Sequence, residues 1–103
     1  MFVKHRPNNR DQTLHTEGRR LLDANNRPVR LLGVNTASLE WMAAAPALPA
    51  AVVHACDVWK ANVIRLPLSQ DTWFGFHPEQ KGKDESGAKY RRQVDAVIDL
   101  VAG

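Results

Sequence analysis

The sequence predicts an α/β fold in which parallel strands are joined by crossover helices. Short branched-aliphatic runs at residues 29–35 and 62–68 predict strands, and apolar residues recur at helical spacing over residues 48–60 and 88–101. The alternation of strand and helix is typical of a parallel sheet. Because parallel sheets are normally covered on both faces and extended by further strands, two such strands indicate the opening of a larger structure.

The chain begins with a polar segment that lacks an apolar period. Residues 1–13 are therefore predicted to be a flexible N-terminal tail, or a linker from an upstream segment. Residues 14–23 alternate loosely between apolar and polar side chains. Asn25 and Asn26 predict a turn, because asparagine tolerates left-handed backbone. We expect an opening hairpin around this turn, with residues 29–35 as its second arm.

The first helix is predicted over residues 48–60. Its apolar face carries Leu48, Val52, Cys56 and Trp59, so Cys56 and Trp59 are both expected in the core. Pro49 suits the first helical turn, where its missing N–H is no loss. The strand at residues 62–68 is expected to end near its proline.

A long polar connection follows over residues 69–85, with Trp73, Phe74 and Phe76 within it. A loop of that length without secondary structure is uncommon in a compact domain and is often functional. The second helix is predicted over residues 88–101, where Asp84 or Ser86 can cap its N-terminus. Its apolar stripe consists of Tyr90, Val94, Val97, Ile98 and Val101.

Composition excludes several classes of function. The formal charge is +3, and the basic residues are scattered among 11 acids rather than gathered in one run, which argues against a nucleic-acid partner. A single cysteine cannot form an internal disulfide, and the four histidines lack zinc-ligand spacing. No apolar run suits a signal peptide or a membrane span. The sequence predicts no cofactor, no metal and no membrane partner, and it leaves localisation open.

Several stretches together resemble glycoside hydrolase family 5, the cellulase-like family. The segments are residues 18–35 ending in Gly33-Val34-Asn35, then Ser38-Leu39-Glu40-Trp41, then residues 59–68 with Asn62-Val63-Ile64-Arg65-Leu66-Pro67, and residues 90–101. The resemblance implies that residues 14–103 are the N-terminal portion of a barrel domain. That portion would be the opening part of a (β/α)8 TIM barrel, with an N-terminal hairpin followed by strand, helix, strand and helix, and it would be incomplete.

The resemblance also implies an activity, the retaining hydrolysis of O-glycosyl bonds in β-1,4-linked polysaccharide. The family's acid/base glutamate follows an asparagine at the end of the fourth barrel strand, and its nucleophile ends the seventh. None of the chain's glutamates has that setting, so both catalytic residues are expected beyond Gly103; the glutamates are Glu17, Glu40, Glu79 and Glu85. Two alternatives remain: an inert or carbohydrate-binding barrel fragment without catalysis, and an unrelated small α/β interaction domain.

Two candidate site residues lie at the expected carboxyl ends of the strands. The resemblance implies that Arg65 hydrogen-bonds the nucleophile glutamate, a role that suits a fixed cationic fork. An ion pair with another acid is the alternative. Asn35 ends the preceding strand, where it can bind a sugar hydroxyl or a catalytic carboxylate, or satisfy local backbone.

The remaining candidates are aromatic rings and one acid on the connections after the strands. Trp41, Trp73 and Phe74 can stack on the apolar face of a sugar, or fill gaps between loop and core. Glu40 can bind substrate hydroxyls, or remain solvated. The expected partner is thus a polysaccharide or oligosaccharide substrate.

Overall fold

The computed structural model describes residues 2–3 and 13–102 of the chain. These residues form a small mixed α/β structure that is not closed into a barrel. The strands are β1 (Phe2–Val3), β2 (Leu14–Glu17), β3 (Arg20–Asp23), β4 (Gly33–Asn35) and β5 (Val63–Arg65), and the helices are α1 (Leu48–Asp57), α2 (Gln70–Trp73), a 3-10 turn (Pro78–Gln80) and α3 (Ala88–Ala102).

The parallel strand pair is present as predicted. β4 and β5 run parallel with Val34 opposite Ile64, and α1 connects them in the chain. Both strands are shorter than predicted, at three residues each. β4 starts only at Gly33, because the residues before it are held mainly by the side chain of Asn62, whose Oδ1 accepts from the Leu32 amide at 2.8 Å and whose Nδ2 donates to the Arg30 carbonyl at 2.7 Å. The Asn62 amide also donates to the Leu32 carbonyl at 2.8 Å. β5 ends at Arg65, two residues before the proline that cannot donate to a ladder.

A short N-terminal strand occupies the other edge of β5. β1 pairs antiparallel with β5, with Phe2 opposite Ile64, so the sheet order is β1-β5-β4. Phe2–Val3 falls within the segment predicted to be a flexible tail. The rest of that segment, apart from Thr13, lies outside the described residues.

The opening hairpin differs from the predicted one. β3 pairs with β2 through a turn at Gly18, whose φ is +61°. The predicted turn after β3 is also present, because Asp23 Oδ1 accepts from the amides of Asn25 and Arg27, each at 2.9 Å. The returning chain nevertheless makes only one antiparallel bridge to β3, between Leu22 and Pro28. The prediction that residues 29–35 form the second arm was therefore wrong.

The core lies between the sheet and the two long helices. The predicted apolar stripe of α3 is confirmed, because its residues lie in this core, with Ile98 at the edge. The buried residues of the core are Leu39, Ala45, Leu48, Val52, Ala55, Ile64, Tyr90, Val94, Val97 and Val101. Cys56 is only half-buried at the margin of this cluster.

Trp59 was predicted to lie in the core, and this was wrong. The residue is 65% exposed. α1 ends at Asp57, three residues earlier than expected, and Lys60 adopts a left-handed φ of +61° as the chain turns toward β5. The helical face that would have buried Trp59 is therefore interrupted. Its ring instead meets the His54 ring edge-on at 5.2 Å between centroids.

The connection over residues 69–85 is more ordered than predicted. It contains α2 and the 3-10 turn. Each has a side-chain N-cap: Ser69 Oγ accepts from the Thr72 amide at 3.3 Å, and His77 Nδ1 accepts from the Glu79 amide at 3.1 Å. Such caps satisfy amides at a helix start and stabilise short helices that have little apolar periodicity.

Asp84 and Ser86 both cap α3, as the sequence predicted. Asp84 Oδ1 accepts from the Lys89 amide at 2.9 Å and Oδ2 from the Tyr90 amide at 3.0 Å, while Ser86 Oγ accepts from the Ala88 amide at 3.3 Å. Burial acts to raise the pKa of Asp84, but the hydrogen bonds from Lys89, Tyr90 and Gln80 outweigh it, and the pKa is lowered.

This cap predicts a pH dependence of stability. A carboxyl whose pKa is lower when folded stabilises the fold above its unfolded pKa of about 3.9, and that stabilisation is lost as the pH falls through the folded pKa. We expect Asp84→Asn to lower the urea midpoint near neutral pH and to flatten its decline below about pH 5. Asp95→Asn, on the exposed side of α3, is the matched control. If the urea midpoints of Asp84→Asn and of the parent chain declined equally steeply below about pH 5, the prediction would be contradicted.

Candidate functional site

Asn35 and Arg65 lie side by side at the carboxyl end of the parallel pair. They are register partners, and Arg65 Nη1 lies 3.4 Å from Asn35 Oδ1. Immediately beyond, the Thr36 amide donates to the Arg65 carbonyl at 3.0 Å and Thr36 Oγ1 donates to the same oxygen at 3.3 Å. These bonds hold the two strand ends together. The expectation that both side chains emerge at the same end of the sheet is confirmed.

No acid of the described part of the chain forms an ion pair with Arg65. Within residues 13–102, the ion pair is the one between Arg27 and Asp23, with 3.1 Å between Nε and Oδ2. The alternative role for Arg65, an ion pair with another acid of this segment, is therefore not seen. Its exposed guanidinium has donors available for an anionic or hydroxyl-bearing group.

Trp41 and Glu40 lie on the turn that follows β4. Glu40 Oε1 accepts from the Ser38 amide at 2.6 Å, and the Trp41 amide donates to the Ser38 carbonyl at 3.0 Å. The carboxylate of Glu40 thus closes its own turn. The Trp41 side chain is 68% exposed and leaves a ring face open to solvent.

Trp73 has a different environment from Trp41. It ends α2, is half-buried and packs against the core, and the Arg91 guanidinium lies 5.9 Å from its ring centroid. Arg91 Nη1 also donates to the carbonyls of Trp73 and Ser86. Trp73 therefore anchors α2 to α3, whereas Phe74 stands exposed beside it.

Three side chains that the sequence did not single out for this region hold the two post-strand segments in place. The hydroxyl of Tyr90 donates to the Leu39 carbonyl and accepts from the Ser69 amide at 3.1 Å. Gln93 Nε2 donates to the Ala43 carbonyl at 2.7 Å, and Gln93 Oε1 accepts from the Ala45 amide at 2.9 Å. Tyr90 and Gln93 both belong to α3. The third side chain is that of His77.

His77 connects the two segments directly. Its Nε2 lies 3.0 Å from the Trp41 carbonyl, while its own amide donates to Gln80 Oε1 at 2.9 Å. His77 and Gln80 together form a capping box, with histidine at the cap position that serine or threonine usually takes. The link from His77 to Trp41 spans 36 residues, and no sequence pattern indicated it.

A pocket of about 370 Å³ opens on the β4 side of α1. Its lining is mostly apolar and includes Asn35, Thr36, Ala51, His54 and Trp59. This volume is within the range of small-molecule pockets. Asn35 thus borders both the pocket and Arg65.

The fold and site define a small mixed α/β protein that presents an arginine and an asparagine at the carboxyl end of a parallel strand pair. No protein-family model matches the chain, and neither a curated protein nor a solved structure matches it. Within residues 2–3 and 13–102, His, Cys, Asp and Glu form no group of three that could hold a metal ion. None of the helices in this part of the chain is long and apolar enough to cross a membrane.

Proposed function

We propose that this chain supplies the opening strands of a retaining glycosidase barrel that acts on β-1,4-linked polysaccharide. The observation that carries the proposal is the guanidinium of Arg65, which lies beside Asn35 at the carboxyl end of β4 and β5 without an acidic partner in residues 13–102. The carboxyl ends of the strands are where α/β barrels bind their substrates.

The chemistry of the pair suits this role. A guanidinium binds a carboxylate through two parallel hydrogen bonds, keeps it ionised and orients it for attack. Because Asn35 Oδ1 faces Arg65, its Nδ2 has both N–H groups available for a hydroxyl or carboxylate oxygen. The open ring of Trp41 offers a surface on which a sugar can stack.

The catalytic carboxyls themselves must come from sequence beyond Gly103. A retaining glycosidase needs a nucleophile and an acid/base group about 5–5.5 Å apart. In addition, a closed barrel needs a parallel strand on the edge of β5 that β1 occupies. The proposal therefore requires Phe2–Val3 to leave that edge when further strands are added.

The gene beyond the codon for Gly103 provides the first test. We expect an open frame that encodes an Asn-Glu pair about 60 or more residues past Arg65, since each βα unit takes roughly 30 residues. The longer protein is expected to hydrolyse carboxymethylcellulose or mannan, while residues 1–103 alone are not. A frame that ends at Gly103 would contradict the proposal.

Arg65 provides the second test, in the longer protein. Arg65→Ala is expected to lower kcat/KM by about 100-fold, the scale of misplacing a reacting group by about 1 Å. Arg65→Lys keeps the positive charge but lacks the planar pair of N–H donors, so this variant should recover little of the lost activity. Arg92→Ala, on the exposed side of α3, is the matched control. Full activity in Arg65→Ala would remove the proposed role.

A second candidate is carbohydrate binding without catalysis. It is favoured by the exposed rings of Trp41, Phe74 and Phe76, which are 68%, 52% and 75% exposed. Titration of residues 1–103 with cello- and manno-oligosaccharides, read by tryptophan fluorescence, separates the candidates. Saturable binding that Trp41→Ala abolishes, in a chain whose frame ends at Gly103, would favour this alternative.

A further inference from the structure

We infer that His77 is a proton-sensitive bridge between the turn that carries Trp41 and the 3-10 turn Pro78–Gln80. The two ring nitrogens of His77 have different partners. Nδ1 lies 3.1 Å from the Glu79 amide nitrogen, and Nε2 lies 3.0 Å from the Trp41 carbonyl oxygen. The inference concerns the environment of Trp41 and does not depend on the proposed glycosidase activity.

These partners determine which nitrogen carries the proton. An amide N–H only donates, so Nδ1 must accept and be unprotonated. A carbonyl only accepts, so Nε2 must donate and carry the hydrogen. Both bonds are therefore made together only by the neutral imidazole with its proton on Nε2.

Protonation makes this arrangement untenable. In the imidazolium both nitrogens are donors, so an N–H on Nδ1 would face the N–H of Glu79 across 3.1 Å. Nε2–H can still donate to the Trp41 carbonyl, but the ring must rotate or the turn must open to separate Nδ1 from the Glu79 amide, and either movement alters the bridge. The bridge is therefore sensitive to protonation of this one ring.

The charged groups on the adjoining segments do not replace the bridge. Glu40 is beside Trp41, but its Oε1 accepts from the Ser38 amide at 2.6 Å. Asp84 accepts from Gln80 Nε2 at 3.3 Å and caps α3. The other charged side chains near His77 in the chain are all exposed; they are Asp71 on α2, Glu79 within the turn, and Lys81 and Lys83 after it. The bridge consequently depends on the imidazole itself.

The test follows Trp41 and the ring of His77 in the 103-residue chain. Labelling with 5-fluorotryptophan gives one ¹⁹F line for each of the three tryptophans, and Trp41→Phe assigns one of them. We expect the Trp41 line to shift in a single step as the pH is lowered, together with the protonation of the His77 ring followed by its ¹⁵N shifts. The ¹⁵N shifts of the His77 ring should report the Nε2–H tautomer at the alkaline end.

His77→Asn is the informative variant. Asparagine is a good N-cap and preserves the turn, but it cannot titrate and is too short to reach Trp41. Its Trp41 line should therefore show no step as the pH is lowered. His54→Asn, which alters the histidine beside Trp59, should keep the parent response. A pH step that survives in His77→Asn, or an Nδ1–H tautomer, would overturn the inference.

Discussion

Tyr90→Phe is expected to lower the free energy of unfolding by about 1–3 kcal/mol, the cost of leaving buried polar groups unpaired. The hydroxyl that it removes donates to the Leu39 carbonyl and accepts from the Ser69 amide, and Tyr90 is 0% exposed. Burial is the main cause that raises the pKa of Tyr90, so the hydroxyl remains a donor at neutral pH. Urea denaturation followed by circular dichroism measures the change.

Tyr90→Ala should have the larger effect, about 3–5 kcal/mol, because it removes the ring as well and leaves a cavity. Phe76→Ala is its control, since that ring is 75% exposed and its loss should change stability by less than about 0.5 kcal/mol. In Tyr90→Phe we also expect faster hydrogen exchange at the Ser69 amide. If Tyr90→Phe matched the parent chain in both stability and exchange, the hydroxyl would not hold the two segments.

Gly33→Ala is expected to destabilise the chain by about 1–3 kcal/mol or more, because there is no space for a methyl group at this position. A Cβ on Gly33 would lie 2.0 Å from the Val63 carbonyl oxygen and 2.4 Å from Val63 Cγ1. Relief requires β4 to move away from β5, which would separate Asn35 from Arg65. The urea midpoint measures the first effect, and loss of contacts between the two side chains by NMR measures the second.

A double variant shows which atoms of Val63 cause the clash. Val63→Ala removes Cγ1 but leaves the carbonyl oxygen, so Gly33→Ala with Val63→Ala should recover little stability. Val63→Ala alone is the reference for this comparison. Recovery to the level of Val63→Ala would mean that the side chain could have moved aside, contrary to the prediction.

Local patterns explain why much of the fold could be predicted. The stripe through Tyr90, Val94 and Val101 has helical spacing, and all three residues are buried in α3. The parallel pairing of β4 and β5 followed from the order of strand, helix and strand. The wrong prediction that Trp59 is buried has a local cause too. α1 ends about one turn earlier than predicted, and Lys60 takes a positive φ beyond it.

The placement of Arg65 beside Asn35 was predictable for the same reason. Both residues end parallel strands, and the carboxyl ends of adjacent parallel strands meet at one edge of the sheet. Sequence could not show whether an acid of the chain approaches Arg65, because that depends on where the loops fold. Nor could it show that Trp73 packs against Arg91 while Trp41 remains open.

The sequence by itself determined the two long helices, the parallel strand pair and the end of the sheet at which the candidate site lies, because these follow from spacing and chain order. The tertiary structure alone decided how the segments after the strands are held. The bonds from His77 to Trp41 and from Tyr90 to Leu39 join residues 36 and 51 positions apart. Such bonds depend on the distance between polar atoms after the core has formed, and no periodicity in the sequence encodes that distance.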